Sequence, residues 1–146
     1  MLHDEVVALL ARCAELLDAG DFGGVGELFA EGSLSAPDGT AFARGSTKVA
    51  NFFSRNTLLH DGSPRTKHVV TTTSVEERNT IVARSNYVVF QSAPGFPLQP
   101  ILIGRYVDEL VRDAGGRLRF ADRRFFVDLE GDLSRHLVRP ELARPG

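Results

Sequence analysis

Apolar residues recur at helical spacing near the N-terminus of the chain. They are Val6, Val7, Leu9, Leu10, Cys13, Leu16 and Leu17. Residues three and four apart share one face of a helix, so this pattern predicts a first helix over about residues 4–19. Asp4 and Glu5 suit its first turn, and Gly20 suits its end.

Shorter elements are predicted between this helix and the strands that follow. Asp21 can cap a short second helix over residues 22–30, although the glycines there weaken it. Residues 32–45 have the composition of a small hairpin, and Ser46 can cap a third helix over residues 47–56. All the long predicted helices therefore belong to the N-terminal half of the chain.

Beyond the third helix the pattern changes to long strand-like runs, separated by turn-forming residues. These runs cover residues 66–76, 80–92, 100–112 and 117–128. Residues 131–146 are expected to form a C-terminal tail with a short helical turn. Helices followed by antiparallel strands predict a single α+β domain over residues 1–146. A long curved sheet of this kind can fold over the first helix and leave a pocket between them.

The bulk composition is typical of one soluble globular domain. The chain has 146 residues, of which 42% are hydrophobic and 25% charged, enough for one domain with a good core. Its formal net charge of -2 provides no basic field that would attract nucleic acid. The single cysteine, Cys13, excludes an internal disulfide and a cysteine-rich zinc site. We therefore expect no metal, no cofactor and no nucleic-acid partner.

The N-terminal segment has the features of neither a signal peptide nor a membrane span. Its apolar residues are interrupted by Asp4, Glu5, Arg12 and Glu15, and no positively charged region precedes them. We expect no contact with a membrane, and a reducing cytoplasm is the expected location.

His68 is an unusual residue for the first strand-like run, which is otherwise rich in Thr and Val. If side chains alternate along the strand, His68 shares a face with Val70 and Thr72 that points into the protein. A buried imidazole must satisfy two ring nitrogens. A histidine packed in the core is the commoner explanation, and a histidine facing a functional cavity is the alternative.

Asp18 lies at the end of the predicted first helix, among small and apolar helical neighbours. A carboxylate at a helix C-terminus meets the negative end of the helix dipole, which is mildly unfavourable. Asp18 is therefore either a solvated turn residue or a residue kept there for a function.

Arg123, in the last strand-like run, has the alternation of Ala121 and Phe125, which should point inward. A surface ion pair is the usual role of an arginine. An arginine among inward apolar residues is costly, and it more often has a buried partner or an anionic ligand.

Tyr106 has the alternation of Leu102 and Gly104 on the third strand-like run. Gly104 would leave room beside Tyr106, as a ligand cavity needs. The alternative for Tyr106 and Tyr87 is ordinary packing in the core or at its rim.

The order of these segments resembles a known family. The segments are "LLDAGDF", "ARGSTKVANFF", "TKHVVTT", "ILIGRYVDELVR" and "RLRFADRRF". They resemble the SnoaL-like branch of the nuclear transport factor 2-like superfamily, over about residues 4–136. Within it the chain looks most like the scytalone dehydratase and hexachlorocyclohexane dehydrochlorinase group.

The resemblance implies a fold and a set of site residues. The fold is a cone-shaped α+β barrel in which N-terminal helices pack on a curved, mostly antiparallel sheet around one deep pocket. Asp18 and His68 would form a catalytic pair, and Arg123 would assist a departing anion. The lysine that the dehydrochlorinase carries on its first helix is replaced here by Cys13, which argues against dehydrochlorination. The residues expected to contact a substrate are Tyr106, Tyr87, Leu102, Phe53 and Cys13.

The function expected from the residues and the resemblance together is that of a small, cofactor-independent lyase or isomerase. Asp18 would hold the Nδ1 proton of His68, and Nε2 would act as general base on an apolar cyclic molecule. Two alternatives are a non-catalytic protein that binds a hydrophobic small molecule and an accessory protein like the small subunit of ring-hydroxylating dioxygenases. A homo-oligomer, trimer or dimer, is expected, because Val69, Thr71, Thr73 and Val75 would form an apolar outer face of the first long strand.

Overall fold

The computed structural model describes residues 1–143, apart from the side chains of Thr73, Leu142 and Ala143. Its helices are α1 (Leu2–Ala19), α2 (Phe22–Leu28) and α3 (Ser46–Asn56), with a final 3-10 turn at Pro140–Ala143. Its strands are β1 (Ser33–Ser35), β2 (Ala41–Arg44), β3 (Thr66–Glu77), β4 (Ile81–Ala93), β5 (Phe96–Arg112) and β6 (Leu118–Glu130). The predicted order of helices and strands is confirmed, with ends that differ by a few residues.

The six strands form one mixed sheet in the order β2-β1-β6-β5-β4-β3. All neighbouring strands are antiparallel except β1 and β6, which run parallel. The sheet curves around α1, which contacts both β3 and β6. It does not close into a barrel, because β2 and β3 remain as its two edges. The result is an α+β cone with helices on the inner face of an open sheet.

Two adjoining clusters of buried side chains make up the core. The larger cluster joins the apolar face of α1 to α2, α3 and the inner face of the sheet, with Leu10, Phe29 and Phe120 almost fully buried. The smaller cluster includes Tyr87 and Tyr106 and lies toward the C-terminal residues. The apolar stripe predicted for the first helix is therefore the part of α1 that is buried, except for Val7, which is 42% exposed and was wrongly included.

Gly20 ends α1 in the left-handed conformation, with φ 74°, and its N–H donates to the carbonyl of Leu17. A Cβ at Gly20 would also lie 3.0 Å from the carbonyl oxygen of Gly62. Glycine adopts this backbone conformation without the steric cost that other residues meet. The sharp stop leaves Asp18 in the last turn of α1, next to the start of β3.

A bulge between Thr72 and Ser74 changes the predicted alternation of β3. Val75 packs against the larger core cluster, so its assignment to the outer face was wrong. An inserted residue reverses the face of every residue beyond it. Before the bulge the alternation holds, and Val69 is 42% exposed.

A second bulge, opposite Glu109 and Leu110, inserts a residue into β6. It brings Phe120 rather than Ala121 to the inner side with Arg123, whose Cζ lies 4.8 Å from the Phe120 ring centroid.

The cap of the third helix also differs from the prediction. Gly45 precedes α3, and the Ser46 side chain does not cap the helix, because α3 already begins at Ser46.

Among the helices of the described residues, none has the length and apolar character needed to cross a membrane.

Candidate active site

A cavity of about 120 Å³ lies between the helices and the inner face of the sheet. We call it the central cavity. Side chains from α1, α2, α3 and all four long strands line it, together with residues after β6. Most of these side chains are apolar, including Phe53 and Leu102, as expected for residues that meet a hydrophobic ligand. Its polar lining residues include two histidines, His68 and His136, together with Asn56, Thr57, Thr66 and the tyrosines described below.

Asp18 and His68 are joined by a short hydrogen bond beside this cavity. The distance between His68 Nδ1 and Asp18 Oδ1 is 2.6 Å, and the two side chains are only 11% and 15% exposed. The predicted contact between them is confirmed. Asp18 comes from the end of α1 and His68 from the start of β3, so the pair joins the helix layer to the sheet.

The carboxylate determines the tautomer of the imidazole. An ionised carboxylate only accepts hydrogen bonds, so Nδ1 of His68 must carry the proton that it donates to Asp18. In the neutral ring, Nε2 is then left as an acceptor. His68 therefore presents a nitrogen that can take a proton.

Asp18 is held by more than the imidazole. It accepts a hydrogen bond of 2.9 Å from the Thr66 hydroxyl and bonds of 3.2 and 3.0 Å from the backbone N–H of His68. β3 is an edge strand, so this N–H would otherwise lack a strand partner. Burial acts to raise the pKa of Asp18, but the hydrogen bond and charge of His68 outweigh it and leave the pKa below its ordinary value. The residue is an anion that both orients His68 and fastens β3 to α1.

Two stacked tyrosines line another part of the central cavity. The Tyr87 and Tyr106 ring centroids are 4.3 Å apart, and the Tyr87 hydroxyl donates to the Phe126 carbonyl at 3.0 Å. Burial raises the pKa of both phenols far above the ordinary value, so both remain neutral. The expectation that Gly104 leaves room for a ligand was wrong: a Cβ there would lie 1.9 Å from the Phe126 carbonyl oxygen and 2.6 Å from the Tyr87 hydroxyl. The space at Gly104 is filled by protein.

Arg123 lies behind the tyrosines, in a fully buried ion pair. Its Nε and Nη2 donate to the two carboxylate oxygens of Asp108 at 2.7 and 3.0 Å, and the side chains are 3% and 0% exposed. Its Cζ stacks 3.7 Å from the Tyr106 ring centroid. Burial opposes the charge, but the facing carboxylate outweighs it and raises the pKa of Arg123.

Neither Arg123 nor Cys13 lines the central cavity. Cys13 is buried in the larger core cluster, and its Sγ is 3.8 Å from Arg123 Nη1. Asp108 and the Tyr106 ring occupy the space around the guanidinium, so a ligand in the cavity meets Tyr106 instead. The sequence did not identify Asp108 as the partner of Arg123, because the sequence of one strand does not show which residue of the neighbouring strand lies opposite.

His136 also lies on the cavity, although no motif or spacing in the sequence identified it as a site residue. It follows β6 by several residues, in a segment without a long element. Only contacts with distant parts of the chain bring it to the site.

The fold and cavity together define a class of protein: an α+β cone with a partly open, mainly apolar pocket and a histidine-carboxylate pair at its side. A family model for the SnoaL-like domain matches residues 2–124. The chain belongs to this SnoaL-like family, and the predicted family and fold are confirmed. No curated protein sequence matches the chain.

Several solved structures share this fold. A Catenulispora acidiphila protein in complex with S-DNPA is 25% identical, with 85% of this chain and 92% of that chain covered and a TM-score of 0.71. A candidate scytalone dehydratase from Novosphingobium aromaticivorans is 16% identical, with coverages of 89% and 86% and a TM-score of 0.68. The β subunit of a candidate aromatic-ring-hydroxylating dioxygenase from the same organism is 19% identical, with coverages of 88% and 90% and a TM-score of 0.63. The last two likenesses are evidence for the fold alone.

Proposed function

We propose that this protein is a cofactor-independent lyase or isomerase that removes a proton from a small, largely apolar cyclic molecule. The observation that carries the proposal is the 2.6 Å hydrogen bond between Asp18 and His68 beside the central cavity. A carboxylate, an imidazole and a pocket are the parts that general base catalysis requires. Membership of a family whose fold also occurs in a candidate dehydratase adds support.

The proposed reaction begins with Nε2 of His68 taking a proton from a carbon next to a carbonyl group. The electron pair of the broken C–H bond forms a C=C bond as a hydroxyl on the next carbon departs. The imidazolium returns its proton to that hydroxyl, which leaves as water, so His68 ends the cycle neutral. Asp18 holds the ring and stabilises the imidazolium between these steps. If no hydroxyl is present, return of the proton to another carbon gives an isomerisation.

The dimensions and lining of the cavity limit the substrate. Apolar cavities of about 150 Å³ accept a benzene molecule. The central cavity, at about 120 Å³, is somewhat smaller than that, so it suits a single ring rather than a fused ring system. Aromatic side chains on the lining, among them Phe53, Tyr87 and Tyr106, provide flat apolar surfaces for such a ring.

The role proposed for Arg123 is a structural one. Its guanidinium is used by Asp108 and by the face of Tyr106, so we do not assign it to a leaving group. It supports the back of the tyrosine that lines the cavity and thereby helps to keep the shape of the pocket.

A non-catalytic role is the second candidate. Asp18 also binds the backbone N–H of His68 and the hydroxyl of Thr66, so the pair has a structural use as the fastening of β3 to α1. The same fold occurs in a β subunit of a candidate dioxygenase. In this case the pocket would bind a hydrophobic molecule without reacting with it, and substitution of Asp18 or His68 would lower the stability of the fold without affecting any reaction.

A direct test uses cyclic β-hydroxy ketones of one ring, such as 3-hydroxycyclohexanone, and follows enone formation by ultraviolet absorbance. We expect the wild type to accelerate the loss of water. His68→Ala should reduce the rate by about 10²–10⁴-fold, the usual share of a general base. Asp18→Asn should also slow the reaction, because the amide can favour the wrong tautomer.

His3→Ala is the matched control, since the His3 side chain is 63% exposed at the start of α1. It should leave the rate unchanged. Denaturant unfolding of each variant separates catalysis from folding. A wild type no faster than His68→Ala, with both folded, would refute proton abstraction and favour the binding role.

A further inference from the structure

We infer that His136 is a second polar contact of the central cavity, and that it binds a hydroxyl or carbonyl group on a single-ring ligand. This inference concerns the same cavity as the proposed function and deepens it by naming the ligand class. It does not depend on whether His68 catalyses a reaction.

The backbone around His136 is tied to the region after α3. The His136 carbonyl accepts from the N–H of Leu58 at 2.8 Å, and the N–H of Val138 donates to the Asn56 carbonyl at 3.0 Å. Thr57 and Leu137 form an isolated bridge between these bonds. The segment over residues 56–58 therefore holds the backbone of residues 136–138 on both sides of Leu137, so the imidazole has a fixed location at the cavity.

The imidazole is buried and incompletely hydrogen-bonded. His136 is 8% exposed, it lines the central cavity, and its Nδ1 has no hydrogen-bond partner. Most buried polar atoms in proteins have a partner, and an unpaired one calls for an explanation. Rotation of the imidazole by 180° about the Cβ–Cγ bond exchanges the positions of Nδ1 and a ring carbon. Nδ1 can therefore face a ligand on either side of the ring.

The charge state of His136 suits an uncharged polar group. Burial lowers the pKa of His136 to about 4, with smaller contributions in the same direction from the nearby His68 and His60. Asp18 acts in the opposite direction and raises the pKa. The ring is therefore neutral near pH 7. A neutral imidazole has one donor and one acceptor nitrogen, so it can accept from a hydroxyl or donate to a carbonyl.

The remaining lining selects the rest of the ligand. The cavity volume of about 120 Å³ accommodates one ring, and most of the other side chains around it are apolar. The ligand class is thus a monocyclic compound with a hydroxyl or carbonyl group near His136. His136 lies beyond residues 2–124, the part of the chain that the SnoaL-like family model matches.

Phenol and toluene are suitable probes, because they are nearly the same size and differ only in that toluene has a methyl group where phenol has a hydroxyl. Isothermal titration calorimetry of the full chain should show tighter binding of phenol than of toluene. His136→Leu should weaken phenol binding by about three- to tenfold, the factor that one net hydrogen bond supplies, and leave toluene binding unchanged. His136→Gln, which keeps a donor and an acceptor, should restore part of the preference. His3→Leu is the matched control for loss of a histidine outside the cavity.

Imidazole ¹⁵N spectra of the wild type provide a second measurement if His136→Leu fails to fold. Phenol should shift the ring resonances of His136, and toluene should leave them in place. The inference is overturned if neither probe binds, if both bind equally, or if His136→Leu keeps the preference for phenol. A preference lost in His68→Ala but kept in His136→Leu would overturn it while leaving the proposed function of His68 intact.

Discussion

The buried pair of Asp108 and Arg123 offers a sharp test of how this site is built. Asp108→Asn would leave the Arg123 charge in the core without a counter-charge, since the two side chains are 0% and 3% exposed. It would also keep at most one of the two hydrogen bonds of 2.7 and 3.0 Å, as a weaker one to the amide oxygen, and set the amide NH2 against the other N–H donor of Arg123. Removing one partner of a buried pair typically costs about 3–5 kcal/mol in the free energy of unfolding.

For a chain of 146 residues, this loss corresponds to a fall in melting temperature of about 10 °C, at about 2–4 °C per kcal/mol. Urea denaturation of wild type and Asp108→Asn measures the change directly. The exposed pair of Arg105 and Asp128 is the matched control, with side chains 50% and 41% exposed. Asp128→Asn should cost less than about 1 kcal/mol, because solvent screens the charges of such a pair.

The double variant Asp108→Leu/Arg123→Met separates a structural role from a ligand contact. Replacing both charges by apolar side chains removes the unpaired charge, so this variant should be more stable than Asp108→Asn alone. It should also keep phenol binding, since Tyr106 stands between the pair and the ligand. A cost below about 1 kcal/mol for Asp108→Asn would refute the burial argument, and loss of phenol binding in a stable double variant would return Arg123 to the ligand site.

Three further outcomes are expected. The pKa of Asp18 is below its ordinary value, so its contribution to stability is complete above about pH 4 and is lost as the pH falls through the lowered pKa. The difference in unfolding free energy between wild type and Asp18→Asn should therefore shrink in acid. A difference that stays constant with pH would contradict this. Gly104→Ala should destabilise the protein by about 1–3 kcal/mol or more, because the new Cβ would lie 1.9 Å from a carbonyl oxygen. Gly115→Ala is the control: the nearest atom to its Cβ would be 3.4 Å away, so it should cost far less in the same denaturation assay. Light scattering should report a homo-oligomer, with a trimer slightly preferred. Val69→Lys on the outer face of β3 should weaken the association between copies of the chain. A wild type that is monomeric at micromolar concentration would rule out the homo-oligomer.

Much of the local structure could be predicted from the sequence. The apolar spacing of α1 and the long strand-like runs are local signals, because they record which face of an element is buried. The contact between Asp18 and His68 was also predictable, since one residue ends a helix, the other begins a strand, and the resemblance places both at the same pocket. In the fold, these two positions meet where α1 crosses the edge of the sheet.

The tertiary structure decided what depends on register. The bulge in β3 sends Val75 inward, and the bulge in β6 brings Phe120 to the side of Arg123. Alternation along one strand cannot reveal an inserted residue, because a bulge depends on how two strands pair. The same register places Asp108 opposite Arg123 and so determines that the arginine has a protein partner instead of a ligand.

His136 shows most clearly what cannot be predicted from the sequence alone. Its position at the cavity comes from backbone bonds to Leu58 and Leu133, and the first of these joins it to a segment far away along the chain. A short stretch after β6 has no periodicity that would predict such a contact. Local patterns specify which residues prefer to be buried, whereas the packing of the whole chain decides which buried residues share a cavity, because those contacts form only when distant segments meet.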